Sequence, residues 1–126
     1  MEIDIELNLG IAAERADTVE KSLPPLLTVR RFKRRQGVGI RWQEGVAVDG
    51  PLDAAICDFL NAVKQHVSTD DTKKGELRVG VFLEQDEVAS MTVLLSATTV
   101  QALAELDVAV EVSFYPCDDA SSEMGS

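Results

Sequence analysis

Residues 2–9 alternate without a break. Ile3, Ile5, Leu7 and Leu9 fall on one side of an extended chain, and Glu2, Asp4, Glu6 and Asn8 on the other. Successive side chains of a strand point to opposite faces, so this period-two pattern describes a strand with one face buried and one in water. A chain built around such a segment forms a sheet covered on one side.

The rest of the chain supplies the cover. Gly10 ends the alternation, and Ala12, Ala13, Ala16, Val19 and Leu23 recur at helical spacing until Pro24 and Pro25 stop the helix. Residues 27–35 are extended, with Val29, Arg31, Lys33 and Arg35 on one side. Gln36-Gly37 reads as a turn, and Val38, Ile40 and Trp42 as the second strand of a hairpin. After a loop from Gly45 to Gly50, Pro51 opens a second helix, with Asp53 in its first turn. Leu52, Ala55, Ile56, Phe59, Leu60, Val63 and Val67 form its apolar stripe, the strongest in the sequence. Ser68 to Gly75 reads as a polar loop.

Leu77, Val79, Val81 and Leu83 alternate as a strand, Glu84 to Glu87 form a charged turn, and Val88 to Leu95 read as the partner strand. Ser96 is placed to cap a short helix to Leu106, with Val100, Leu103 and Ala104 inward. Val108, Val110, Val112 and Phe114 make a last strand. The expected order is β-α-β-β-α-β-β-α-β in one α+β domain over 1–115, an antiparallel-rich sheet with helices packed on one face. Residues 116–126 read as a flexible polar tail. A length of 126 residues fits one domain, and 45% apolar with 27% charged residues is globular composition. No run approaches the roughly 18 apolar residues of a membrane span. The opening residues lack a basic stretch ahead of an apolar block, so no secretory signal and a cytoplasmic location are expected.

Charge narrows the partners. Twelve bases against twenty-two acids give −10. Arg30, Arg31, Lys33, Arg34, Arg35 and Arg41 stand in a window without an acid, so that window carries +6 and the rest −16 against the total of −10. A field of that sign repels nucleic acid and anionic membrane and attracts basic partners. The run from Arg30 to Arg35, with Phe32 inside it, has the residue types of a nucleic-acid stripe. The acidic remainder opposes that reading, and a strand edge guarded by Lys and Arg explains the run as well. No nucleic acid or membrane partner is expected.

Little in the sequence can do chemistry. Cys57 and Cys117 have no second Cys or His at metal spacing and read as reduced thiols. His66 lies nine residues beyond Cys57 on the same helix, about 13 Å along its axis, too far to pair as base and nucleophile. It suits a helix C-terminus. Glu2, Asp4 and Glu6 share a strand face, but about 7 Å separates successive members, too far to share a cation. Pairing across the ladder with Arg31, Lys33 and Arg35 suits them better, at about 0.2–1 kcal/mol per opposite-charge pair. No nucleophile, base and oxyanion donor come together, so no enzyme, no cofactor and no metal are expected. The candidate partner-binding residues are the acidic turn Glu84, Asp86 and Glu87, the acidic loop Asp70 and Asp71, and Trp42 as an apolar anchor. The alternation of Trp42 with Val38 and Ile40 equally describes a core residue.

Three features carry a resemblance. The segment Leu95 to Tyr115, LSATTVQALAELDVAVEVSFY, is a serine-capped short helix followed by an apolar strand ending in an aromatic pair. Arg34-Arg35-Gln36-Gly37 is a basic stretch ending in glycine. The strand after it bears the lone Trp42. In these features, and in element order over most of the chain, the sequence resembles the bacterial family known as domain of unknown function 4279. Asp107 departs from it, since that family has glycine after the last helix. The resemblance brings no established activity. At the level of class the chain is similar to small acidic proteins encoded beside bacterial toxins, which implies an immunity factor neutralising a basic toxin. The alternative is a small housekeeping or ligand-binding domain whose acidity serves solubility.

Overall fold

The alternating segment forms β1 (Glu2–Leu9), and it lies inside the sheet rather than at its edge. The computed structural model describes residues 2–42, 46–47, 52–84 and 93–117, without the side chains at 46, 47, 83, 84, 116 and 117. After β1 come α1 (Ala13–Ser22), β2 (Leu27–Arg31), β3 (Val38–Trp42), β4 (Val46–Ala47), α2 (Leu52–His66), α3 (Thr69–Thr72), β5 (Gly75–Glu84), α4 (Ala97–Leu106) and β6 (Val108–Cys117). The strand order is β2-β3-β1-β5-β6, with the two-residue β4 also on β1. All pairings are antiparallel except β5 with β6, which run parallel in the register Gly75↔Val108 to Glu84↔Cys117. The α+β class with a mostly antiparallel sheet stands as the sequence indicates. The parallel pair follows from the α4 crossover, since parallel neighbours cannot be joined by a tight turn.

One face of the sheet is covered. Ile3, Ile5, Leu7 and Leu9 of β1, Val38 and Ile40 of β3, and Leu77, Val79 and Val81 of β5 are all buried. They join Ala16 and Val19 of α1, six residues of α2, and Ala102, Leu103 and Leu106 of α4 in one core. The stripe read on α2 is the one that packs: Phe59, Ile56, Leu60 and Val63 have no exposure. Burying each such side chain contributes about 1.5–3 kcal/mol, so α2 stabilises the fold more than α1, which buries an alanine and a valine. Polar ties fix the helices to one another. Lys64 of α2 pairs with Glu105 of α4, and the Asp53 carboxylate accepts the Ser96 N–H at 2.9 Å. That backbone hydrogen bond holds the Asp53 carboxyl below the usual carboxylate range.

Several expectations need correction. Ser96 caps α4, accepting the Thr99 N–H at 3.3 Å, but Val100 and Ala104 point outward and are exposed, because the buried stripe is Thr99, Ala102, Leu103 and Leu106. The polar loop after α2 contains a turn of helix, α3, capped by Ser68, whose Oγ accepts the Asp70 N–H. Thr72 of α3 is buried and donates to the Leu106 carbonyl at 2.9 Å. β6 continues through Cys117, two residues into the segment read as tail. The helix start at Pro51 and, of the strand expected from Val88 to Leu95, the part from Val88 to Thr92 lie outside the described residues. Val93 to Leu95 of that strand have no regular structure. Asp107 closes α4 with φ 57° and ψ 50°, a left-handed conformation that glycine favours and aspartate tolerates.

Candidate functional site

The open face carries the alternate residues of the same strands, and its chemistry is ionic. Arg30 of β2 grips Glu6 of β1 with two hydrogen bonds, Nε to Oε2 at 3.0 Å and Nη2 to Oε1 at 2.9 Å. Arg41 of β3 donates to Asp4 at 3.1 Å, and Arg78 of β5 lies 3.0 Å from Glu76 and 3.8 Å from Glu111 of β6. Gly39 of β3 makes the first contact possible, since a Cβ there would strike the Glu6 carboxylate. The hydrogen bonds to Glu6 raise the Arg30 pKa further above its ordinary value. Cross-strand pairs were expected, but with Arg31, Lys33 and Arg35. The even-numbered residues of β2 face this side instead, so Arg30 makes the contact. Arg31 reaches α1, where it donates to Asp17 at 2.6 Å and Glu20 at 2.9 Å.

Two neighbouring depressions lie on this face. The first, about 430 Å³, is lined by Asp4, Glu6, Arg78, Val79, Gly80, Phe82, Glu111, Ser113 and Tyr115. The rings of Phe82 and Tyr115 stack across β5 and β6, with centroids 5.3 Å apart and planes 24° from parallel. Tyr115 is 49% exposed. Gly80 gives its ring room, because a Cβ would come within 3.3 Å of it. Three carboxylates and one guanidinium surround the aromatic pair. An aromatic face beside carboxylates is chemistry that receives a Lys or Arg side chain. The second depression, about 700 Å³, is bordered by the basic residues Arg30, Arg31, Lys33, Arg34 and Arg35.

The residues singled out from sequence do not form one cluster. Trp42 is on the covered face, half-buried, and meets Phe59 edge-on with centroids 5.5 Å apart. The aromatic surface on the open face is instead that of Phe82 and Tyr115. Asp70 is exposed in α3, but its neighbour Asp71 is no exposed tip. Asp71 is 6% exposed and accepts Arg15 Nε at 3.0 Å on Oδ1 and Arg15 Nη2 on Oδ2. Glu84 ends β5, two residues beyond Phe82, and its side chain is outside the description, as are Asp86 and Glu87 altogether. The length of β5 puts the Glu84 backbone about 30 Å from Gly75, which closely follows α3.

Among the described residues, no three His, Cys, Asp or Glu side chains converge as a metal site. Cys57 is a free thiol, and His66 is exposed in the last turn of α2. No helix of the described residues is long and apolar enough to cross a membrane. Phe82 and Tyr115 left a signal that the sequence reading passed over. Each is an aromatic residue in the polar phase of its strand, after Glu76, Arg78 and Gly80 in one and Ala109, Glu111 and Ser113 in the other. Comparison with family models, curated proteins and solved structures finds no match to this chain.

Proposed function

We propose that the chain acts by binding a basic protein partner, without catalysis and without a cofactor, and that the acidic, aromatic half of the open face receives it. The observation that carries this reading is the stack of half-buried Phe82 on exposed Tyr115, ringed by Asp4, Glu6 and Glu111. The aromatic rings offer the large contact area typical of binding hot spots. Glu84, Asp86 and Glu87 follow Phe82 within five residues in sequence, and they steer a cationic partner toward the rings. The finer reading is a cytoplasmic immunity factor that neutralises a basic bacterial toxin. It draws support from the family resemblance and from Asp107, which holds the left-handed conformation at the position where that family has glycine.

The test uses the product of a neighbouring gene that encodes a basic, secreted, toxin-like protein. Association kinetics are measured across salt for the native chain, for Tyr115→Ala, and for a triple reversal of Glu84, Asp86 and Glu87 to Lys. The reversal is expected to slow association and flatten its salt dependence, and Tyr115→Ala to speed dissociation. Unchanged rates in both variants remove this half of the face from the interface. An acidic partner defeats the electrostatic argument altogether.

A further inference from the structure

The basic half of the open face has features that protein binding next door does not require. β2 and β3 are paired from Leu27↔Trp42 to Arg31↔Val38, and residues 32–37 connect them in a tip closed by the Phe32 N–H to the Gly37 carbonyl at 3.1 Å. Gly37 stands at φ +134°, and a Cβ there would press on the Leu9 carbonyl and the Phe32 ring. The tip is therefore folded against the end of β1 in a form that only glycine allows without strain. Beside it lies the 700 Å³ depression, which Asn8 of β1 also lines.

The geometry points to a binding site here for a small phosphate ester that carries a hydroxyl group. The cations come first. Arg30 and Arg31 are committed to Glu6 and to the acids of α1. Lys33, Arg34 and Arg35 have no carboxylate partner among the described residues, although the chain has a large surplus of acid. The Arg35 guanidinium lies 4.3 Å from the Phe32 ring centroid and that of Arg30 5.2 Å. Cation–π contact thus holds Arg35 in place before any anion arrives. Three neighbouring cations with no counter-charge of their own suit an oxyanion, and a guanidinium fork matches phosphate oxygens.

Asn8 supplies the second half of the recognition. It is 9% exposed, and its Oδ1 is the one buried side-chain polar atom without a hydrogen-bond partner among the described residues. Buried acceptors are almost always satisfied, so an orphan in the lining of a pocket marks a place for a donor. The phosphate group of such an ester answers the cations, and a sugar hydroxyl on the same molecule answers Asn8. The volume suits a ligand of sugar-phosphate or nucleotide size. A long polyanion fits poorly, because Glu6 borders both depressions and the acidic half begins there. This site does not depend on the partner proposed above.

Calorimetric titration of the full chain at low ionic strength tests it, with inorganic phosphate, ribose 5-phosphate and a ten-residue oligothymidylate as probes. Ribose 5-phosphate is expected to bind several-fold more tightly than phosphate. Arg35→Gln should weaken both by about tenfold, the effect of losing one charge-assisted hydrogen bond. Asn8→Leu, close in volume, should abolish the preference for the sugar phosphate while phosphate still binds. Lys64→Gln, which removes the same charge on the helical side, should change neither. The inference is overturned if neither small probe saturates, if Lys64→Gln weakens binding as much as Arg35→Gln, or if Asn8→Leu keeps the preference. Tighter binding of the oligonucleotide than of ribose 5-phosphate would overturn the small-ligand assignment. Arg35 is exposed, so its variant reports on the site even if Asn8→Leu does not fold.

Discussion

On the covered face of the sheet, Ile3, Ile5, Leu7, Ile40, Leu77 and Val79 meet the apolar sides of three helices and lose nearly all contact with water. On the open face, one residue along on the same strands, Asp4, Glu6, Arg30, Arg41 and Arg78 meet one another in pairs that water still reaches. The strands are common to both, so the contrast isolates what side chains do. Desolvated apolar area stabilises in proportion to its extent, whereas solvated ion pairs contribute about 0–1 kcal/mol each. Folding free energy is therefore concentrated on one side. The other side can change its charges and aromatics at little cost to the fold, which is the freedom a binding surface needs.

If that division holds, Phe59→Ala has the largest effect. It empties the centre of the α2 stripe and removes the edge contact to Trp42, and should cost about 3–5 kcal/mol in urea unfolding. A loss below about 1 kcal/mol would place the helix wrongly on the sheet. Next comes Arg15→Met, which leaves the buried Asp71 carboxylate without its partner and should cost about 1–3 kcal/mol. The reverse change, Asp71→Asn, should cost less, since Arg15 is 48% exposed and water can take over its hydrogen bonds. Equal losses from the two would mean that Asp71 is wetter than its burial indicates.

On the open face, Glu6→Gln should cost at most about 1 kcal/mol, despite its two-point contact with Arg30. Tyr115→Ala should stay within about 0.5 kcal/mol, since its ring is half in solvent. A larger loss for Tyr115→Ala than for Arg15→Met would erase the distinction between the faces.

The smallest effect is that of pH. Arg31 holds the Asp17 carboxyl below its ordinary range, Ser96 does so for Asp53, and Lys64 for Glu105. A carboxyl depressed in the folded state contributes stability that is complete above its unfolded value, near pH 4, and lost as pH falls through the folded value. Midpoints of urea unfolding should therefore match between pH 6 and 8, as far as these groups are concerned, and decline modestly below about pH 4. All three groups are exposed and screened, so a steep acid transition would point to some other carboxyl.

Much of the architecture is legible in the chain because it is periodic. The alternation of β1, the stripe of α2 and the Ser96 cap are each local patterns with one physical interpretation, and each is present in the structure. What could not be read is what depends on partners distant in sequence. Arg15 and Asp71 are fifty-six residues apart, and nothing near either marks Asp71 as buried. The short helix α3 has no apolar period to announce it. Trp42 obeyed its alternation and joined the core, while Phe82 and Tyr115 broke theirs and became the surface feature. At the candidate site the informative residues are thus the ones that violate the strand pattern. Glu84, Asp86 and Glu87 stand out in the sequence by charge alone, and charge does not specify which surface they accompany.

The central position of β1 has a consequence for how the chain comes into being. Its neighbours are β3, some thirty residues on, and β5, which begins at Gly75. At synthesis rates of about 5–20 residues per second, several seconds pass between the emergence of β1 and that of β5. Until β3 emerges both edges of the strand bearing Ile3, Ile5, Leu7 and Leu9 lack a partner, and until β5 emerges one still does, a template for sticking to other nascent chains. The residues set between them are Glu2, Asp4, Glu6 and Asn8. Charges interleaved with a hydrophobic strand oppose its self-association. Asp4 and Glu6 therefore have work to do before Arg41 and Arg30 exist to meet them: they keep the first strand apart from its own copies until the ribosome has delivered its partners.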